Sequence, residues 1–226
     1  MAEIFAFPGG VSAPRRPGDD AGLPGRPAGV PDEVWRAVES VRAMRRVPGV
    51  RYREIPVPST LADYGIGVEL ESGSDGASGE HPDHARPGIV GEGADRPRSG
   101  ASGWITLLYS REPRDDWSSR WRCVAFARMP LETREDNGLA PAMYWETLRG
   151  FLDGADRDGL RGTVTVTRNT SFGSLAGPDS AGCEMRVSWT PLEDIDGRMD
   201  AGAQVVMWAM FIRSAAVAEE EPSVDR

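Results

Sequence analysis

The chain has 226 residues, a formal net charge of -9 and only 39% hydrophobic residues, with 27 Gly and 18 Pro. That length suits one domain or two small ones, and the Gly and Pro content means that part of the chain does not fold. The acidic balance argues against general nucleic-acid binding, which needs a basic footprint, and against adsorption to anionic lipid.

Residues 1–30 read as a disordered arm, rich in Gly, Pro and Arg/Asp pairs, with one apolar island at Ile4-Phe5-Ala6-Phe7. The start has no positive n-region and too short an apolar run for a signal peptide, and no stretch is long enough to span a membrane. A cytoplasmic chain is expected. Pro31-Asp32-Glu33 then opens a helix, with proline in the first turn and acids at the positive dipole end. Val34, Val38, Val41 and Met44 repeat at helical spacing, and Val47-Pro48-Gly49 ends the element.

Val50 to Val57 reads as extended, and Pro56 and Pro58 favour a sheet edge. Tyr64, Ile66, Val68 and Leu70 alternate as a strand. Residues 71–102 break the domain, since Gly, Ser, Asp, Glu, Arg and Pro dominate and no aromatic occurs. Such an insert adds a modest entropic cost if the strands flanking it already pair.

Trp104 to Tyr109 and Trp121 to Met129 read as a hairpin joined by a polar connection, Arg111 to Ser119. A helix over about Pro141 to Asp153 carries the stripe Tyr144, Leu148, Phe151 and Leu152. Gly162 to Thr167 and Glu184 to Thr190 alternate as strands around a small-residue loop, Ser171 to Ser180. After a bend at Asp196-Gly197, a last helix runs over about Met199 to Arg213, with Val205, Trp208 and Ile212 inward. Residues 214–226 read as a mobile acidic tail. The expected fold is a single α+β domain over 31–213, interrupted at 71–102. A mostly antiparallel sheet is covered on one face by about three helices, in the order α-β(3-4)-α-β-β-α.

Several chemistries are removed outright. Every basic residue is Arg, so Schiff-base and P-loop lysines are absent, and His81 and His84 are the only histidines. His81-Pro82-Asp83-His84 has metal-ligand residue types but sits in the insert, where a solvated loop is expected. Cys123 and Cys183 are far apart in separate apolar segments and read as buried thiols. No cofactor and no metal is expected. Asp115, Asp116, Glu184, Glu193, Asp194 and Asp196 offer carboxylates, but no spacing selects a catalytic pair. Glu184 and Arg186 share a strand face, where ion pairing accounts for them.

Two loops are candidate surfaces. Trp117, between charged residues and serines at the hairpin tip, stands out with Arg114 and Arg120, because Trp and Arg dominate binding hot spots. Two readings of Trp117 stand: an exposed interface residue, or a ring folded back over the core. The other tryptophans read as core. Ser171, Phe172 and Gly173 open the second loop, which is either an ordinary connection or a ligand or partner loop. The leading expectation is a non-enzymatic protein-binding or adaptor role, with another protein or a second copy as partner. The alternative is a small-molecule-binding protein or enzyme that uses carboxylates and arginines.

Trp35-Arg36-Ala37-Val38-Glu39, Glu54-Ile55-Pro56-Val57-Pro58, Arg122-Cys123-Val124-Ala125-Phe126, Ser171-Phe172-Gly173 and Val187-Ser188-Trp189-Thr190-Pro191 resemble the DUF3000 family of actinobacterial proteins. The resemblance covers about 31–213 outside the insert and implies no catalytic residues. The element order also resembles the layout of type III secretion chaperones and YbjN-like proteins, an analogy of fold alone.

Overall fold

A computed structural model describes residues 25–73, 100–131, 138–177 and 180–217. Residues 1–24 of the expected arm, 74–99 of the insert with His81 and His84, and 218–226 of the tail lie outside the described residues. Residues just before the expected start at 31 already pack on the domain. Arg26 Nε donates to the Val30 carbonyl at 2.8 Å, the Tyr64 hydroxyl donates to the Gly29 carbonyl at 2.8 Å, and Val30 is buried.

Helix α1 (Asp32–Ala43) carries Asp32 and Glu33 in its first turn and Arg42 in its last, matching the helix dipole at both ends. Val34, Ala37, Val38 and Val41 are its buried stripe, one face of a 3.6-residue repeat. Strands β1 (Val50–Ile55), β2 (Tyr64–Ser72), β3 (Ser102–Arg114) and β4 (Ser119–Leu131) follow, then α2 (Ala140–Phe151), β5 (Ala155–Asn169), β6 (Ser180–Pro191) and α3 (Ala201–Val217). The six strands form one sheet in the order β1-β2-β3-β4-β6-β5, and every neighbouring pair is antiparallel. β1 is an edge strand, and Pro56 and Pro58 follow it where no ladder donor is needed. At the mouth of the insert the chain is already paired: Ser72 N and Ser72 Oγ both donate to the Ala101 carbonyl at 2.9 Å.

Alternation sorts the sheet into two faces. Cys123, Ala125, Ala127 and Met129 of β4 and Cys183, Met185, Val187 and Trp189 of β6 are buried on one of them. α3 lies across that face against β2, β3 and β4, while α1 packs on α3, and α2 on α3 and β5. Because α3 is enclosed by sheet and helices, it is apolar nearly all round. Trp208 stacks obliquely between Trp189 at 6.0 Å and Phe211 at 5.1 Å. Trp189 Nε1 donates to Gln204 Oε1 at 2.8 Å, and Gln204 Nε2 donates to the Gly154 carbonyl at 3.3 Å.

α1 and α3 meet closely at Gly202, where a Cβ would lie 2.6 Å from the Ser40 carbonyl oxygen. Gly202 N donates to Ser40 Oγ at 2.8 Å, and the Ser40 hydroxyl donates to Asp200, whose carboxylate also accepts from Ala203 N at 3.0 Å. One cap therefore starts α3 and locks it to α1.

Several boundaries differ from the sequence reading. β3 runs on to Arg114 and β4 starts at Ser119, so the expected polar connection shrinks to a four-residue turn. A register shift between Tyr109 and Arg114 carries the pairing past the apolar stretch. β5 begins at Ala155 rather than near Gly162, through a second irregularity between Asp156 and Arg161. α2 spans Ala140–Phe151, so Asp153 lies beyond it. α3 continues to Val217, so residues 214–217 are helix and not tail.

Both cysteines are free and buried. Burial pushes the Cys183 thiol up to about 11 and Cys123 higher still. Native protein is expected to resist a thiol-specific reagent at neutral pH, with both thiols reacting only in denaturant. Stoichiometric labelling of either cysteine in the native state would contradict the packing.

Candidate functional site

The β3–β4 tip exposes Arg111 to Asp116 but turns Trp117 inward. Its turn closes with Trp117 N and Ser118 N both donating to the Arg114 carbonyl, at 3.0 and 2.9 Å, and with Ser118 at a positive φ of 53°. The tip bends so that the Thr190 hydroxyl of β6 donates to the Trp117 carbonyl at 2.6 Å. Trp117 is 8% exposed, the second of its two readings. Arg114 lies over its ring at 4.3 Å and grips Asp116 with two hydrogen bonds of 3.1 and 3.2 Å. Arg120 reaches Glu33 on α1 at 3.5 Å. The tip is thus fastened to β6 and α1 by the very residues that marked it as a surface.

Ser171, Phe172 and Gly173 are exposed, with Phe172 at 79% and Gly173 at a positive φ of 66° starting a short 3-10 turn. This loop joins the Asn169–Ser180 end of the β5–β6 ladder, whereas the hairpin tip sits by the Ala155–Pro191 end. β6 is 12 residues long, so the two candidates are separated by the length of a strand, roughly 35–40 Å. They do not form one site.

Asp116, Glu184, Glu193, Asp194 and Asp196 are each engaged. Glu184 pairs with Arg128 at 2.9 Å and with Arg186 at 3.3 Å. Ser119 Oγ donates to Glu193 at 3.4 Å, and Arg198 pairs with Asp194 at 3.2 Å and also with Asp196. Backbone N–H groups of Arg198 and Asp196 hold the Asp194 carboxyl below the ordinary range, and Arg114 does the same to Asp116. A general acid needs the opposite shift. Two adjoining clefts of about 580 and 570 Å³ lie between α1, the hairpin tip and the β6–α3 loop, sharing Glu33, Trp121, Leu192, Glu193 and Gly197. Their walls are largely the tethers just described. Among the described residues no cluster of three or more His, Cys, Asp or Glu is placed to hold a metal ion, and no helix is long and apolar enough to cross a membrane.

The larger feature is the sheet face that carries no helix. Cross-strand register lays out rows across all six strands. One row reads Arg53, Glu69, Trp104, Phe126, Arg186 and Thr163, and the next reads Arg51, Glu71, Ser102, Arg128, Glu184 and Thr165. Trp104, expected in the core, lies half-buried on this face and stacks on Phe126 at 6.0 Å, with Arg186 over the Phe126 ring at 5.4 Å. Arg53–Glu69, Arg51–Glu71 and Arg128–Glu184–Arg186 pairs border the aromatics. Counting the rows through Arg122 and Arg161, arginines on this face outnumber carboxylates, although the whole chain is at -9. At one end Val57 folds over Gly65 and Gly67, where Cβ atoms would come within 2.6 and 3.0 Å of it, and Leu108 and Thr106 beside them are buried.

Sequence reasoning missed this face because alternation reveals two faces without saying which one helices will leave bare. The available signal was the charge alternation of Glu69, Glu71, Arg128, Glu184 and Arg186, each two residues apart within its strand or matched across one. No curated protein and no solved structure matches the chain. Residues 30–218 match the family model described as "Protein of unknown function (DUF3000)", and the chain belongs to the DUF3000 family.

Proposed function

We propose that this chain is a non-enzymatic protein-binding adaptor, and that its helix-free sheet face docks an acidic segment of a partner protein. The observation that carries the reading is the Trp104–Phe126–Arg186 cluster, set among excess arginine on an acidic chain. Half-buried aromatics and arginine are the side chains that concentrate binding energy in interfaces. A positive island favours acidic partners, while the net charge of -9 opposes the association of two copies. The carboxylates held low and bound to arginines favour binding over acid–base catalysis.

The test uses the full chain as bait in extract from its own source, with the recovered partner then purified and its affinity measured. Arg186→Glu and Trp104→Ser should each weaken that affinity by about tenfold or more, about 1.4 kcal/mol. Phe172→Ser at the far loop should leave it unchanged. A partner retained by both face variants but lost with Phe172→Ser would overturn the assignment of the face.

A further inference from the structure

At the hairpin end of the open face, one arginine is buried without a carboxylate. Arg122 of β4 is 5% exposed. Its Nη1 donates to Thr190 Oγ1 at 3.1 Å and its Nη2 to Ser188 Oγ at 2.7 Å, both hydroxyls of β6. Among the described residues no carboxylate forms an ion pair with it, although buried guanidinium groups are ordinarily paired. A guanidinium has five donors, and two hydroxyls leave most of that capacity unused.

The surroundings add positive charge. Arg161 of β5 stands opposite Ser188, one strand away, and is exposed. Burial, and then the charge of Arg161, push the Arg122 guanidinium below its ordinary pKa. Two carboxylates lie near without pairing with Arg122. Asp116 is held by Arg114, and Asp156 accepts from Asp158 N at 3.1 Å. The Thr190 hydroxyl hydrogen is committed to the Trp117 carbonyl, whereas Ser188 accepts from Arg122 and keeps its own hydrogen to donate. The irregularity of β5 between Asp156 and Arg161 interrupts the ladder beside these groups. Gly159 lies within it, where a Cβ would come 3.3 Å from Thr190 Oγ1 and 3.4 Å from both Arg122 Nη1 and Asp156 Oδ2. The cleft of about 570 Å³ is lined by Thr190 and Asp156, the neighbours of these groups, and not by Arg122 or Arg161 themselves.

We infer that Arg122, Arg161 and Ser188 form a binding site for a phosphate-type oxyanion at the irregularity of β5, with Asp156 as the like-charged group that limits its affinity. Two guanidinium groups and a hydroxyl donor match the oxygens of a phosphoryl group, which arginine binds in a forked geometry. This inference shares Arg122 and Arg161 with the positive face of the docking reading, but its test reads those residues and not the Trp104–Phe126 cluster, so each can fail alone. The phosphoryl group belongs either to free phosphate or to a phosphorylated side chain, and the chemistry of the site is the same.

The experiment is a titration of the full chain followed by amide NMR, at constant ionic strength held with chloride. One arm uses inorganic phosphate and the other a short capped phosphoserine peptide. Saturable shifts centred on residues 159–161 and 188–190 are expected in at least one arm, and the tighter arm identifies the source. Arg161→Gln, at an exposed position, should weaken binding about tenfold without altering the fold. Asp156→Asn should tighten it several-fold, a gain that a merely structural role for Arg122 does not produce. The absence of saturable shifts in both arms, or binding unchanged in both variants, would overturn the inference.

Discussion

Trp189→Phe should destabilise the protein by about 2–4 kcal/mol, and Trp208→Phe by distinctly less, although both rings are fully buried and touch each other. The difference lies in the indole nitrogens. Trp189 Nε1 is hydrogen-bonded to Gln204, and the Gln204 amide in turn reaches the Gly154 carbonyl. Phenylalanine at 189 leaves the Gln204 oxygen buried without its donor. Trp208 Nε1 is buried with no partner among the described residues. Phenylalanine there removes volume but also removes a polar group that has nothing to bind, so part of the cavity cost is offset. Urea unfolding of the two variants decides the matter. Equal losses, or a larger loss at Trp208, would contradict the described core.

The second large effect belongs to the α1–α3 crossing. Gly202→Val is expected to cost about 1–3 kcal/mol, because a Cβ 2.6 Å from the Ser40 carbonyl must push the two helices apart. Ser40→Ala should cost about 1 kcal/mol, the size of a lost cap, by freeing Gly202 N and Asp200 together. The two losses should fall short of additive in the double variant, since the valine already breaks the hydrogen bond that the alanine removes. Strict additivity by denaturant unfolding would mean that the helices do not meet at this point.

Much of the architecture was legible. The proline that opens α1, the stripe Val34, Val38 and Val41, and the alternation of Tyr64 to Leu70 and Glu184 to Thr190 placed the elements and a helix-covered antiparallel sheet. Pro56 and Pro58 identified the edge. The charged ends of β3 and β5 were not legible, because Arg111 to Arg114 and Asp156 to Arg161 reach into solvent and have no apolar face to alternate. Nor was the swap that puts β6 inside β5, since hydrophobic pattern says nothing about which of two hairpin strands joins β4.

The candidate site was legible only in its residue types. Arg114, Trp117 and Arg120 stand apart in sequence because charges and serines surround them. That same polarity lets the tip bend back and fasten itself to Thr190 and Glu33. Ser171, Phe172 and Gly173 are exposed but lie at the other end of the sheet. Trp104 was hidden in an apolar run, and only the register shows that it shares a row with Phe126 and Arg186. Arg122, in the middle of an apolar strand, is the residue whose burial had no sequence signal beyond its position.

Site-specific photo-crosslinking tests the docking claim most directly. A photoreactive amino acid replaces Thr165, exposed on the open face, and in a second sample Met143, 63% exposed on α2. The account predicts crosslinks from position 165 to an acidic stretch of the partner and none from position 143. Crosslinks from position 143 alone would place the partner against the helices and contradict the account.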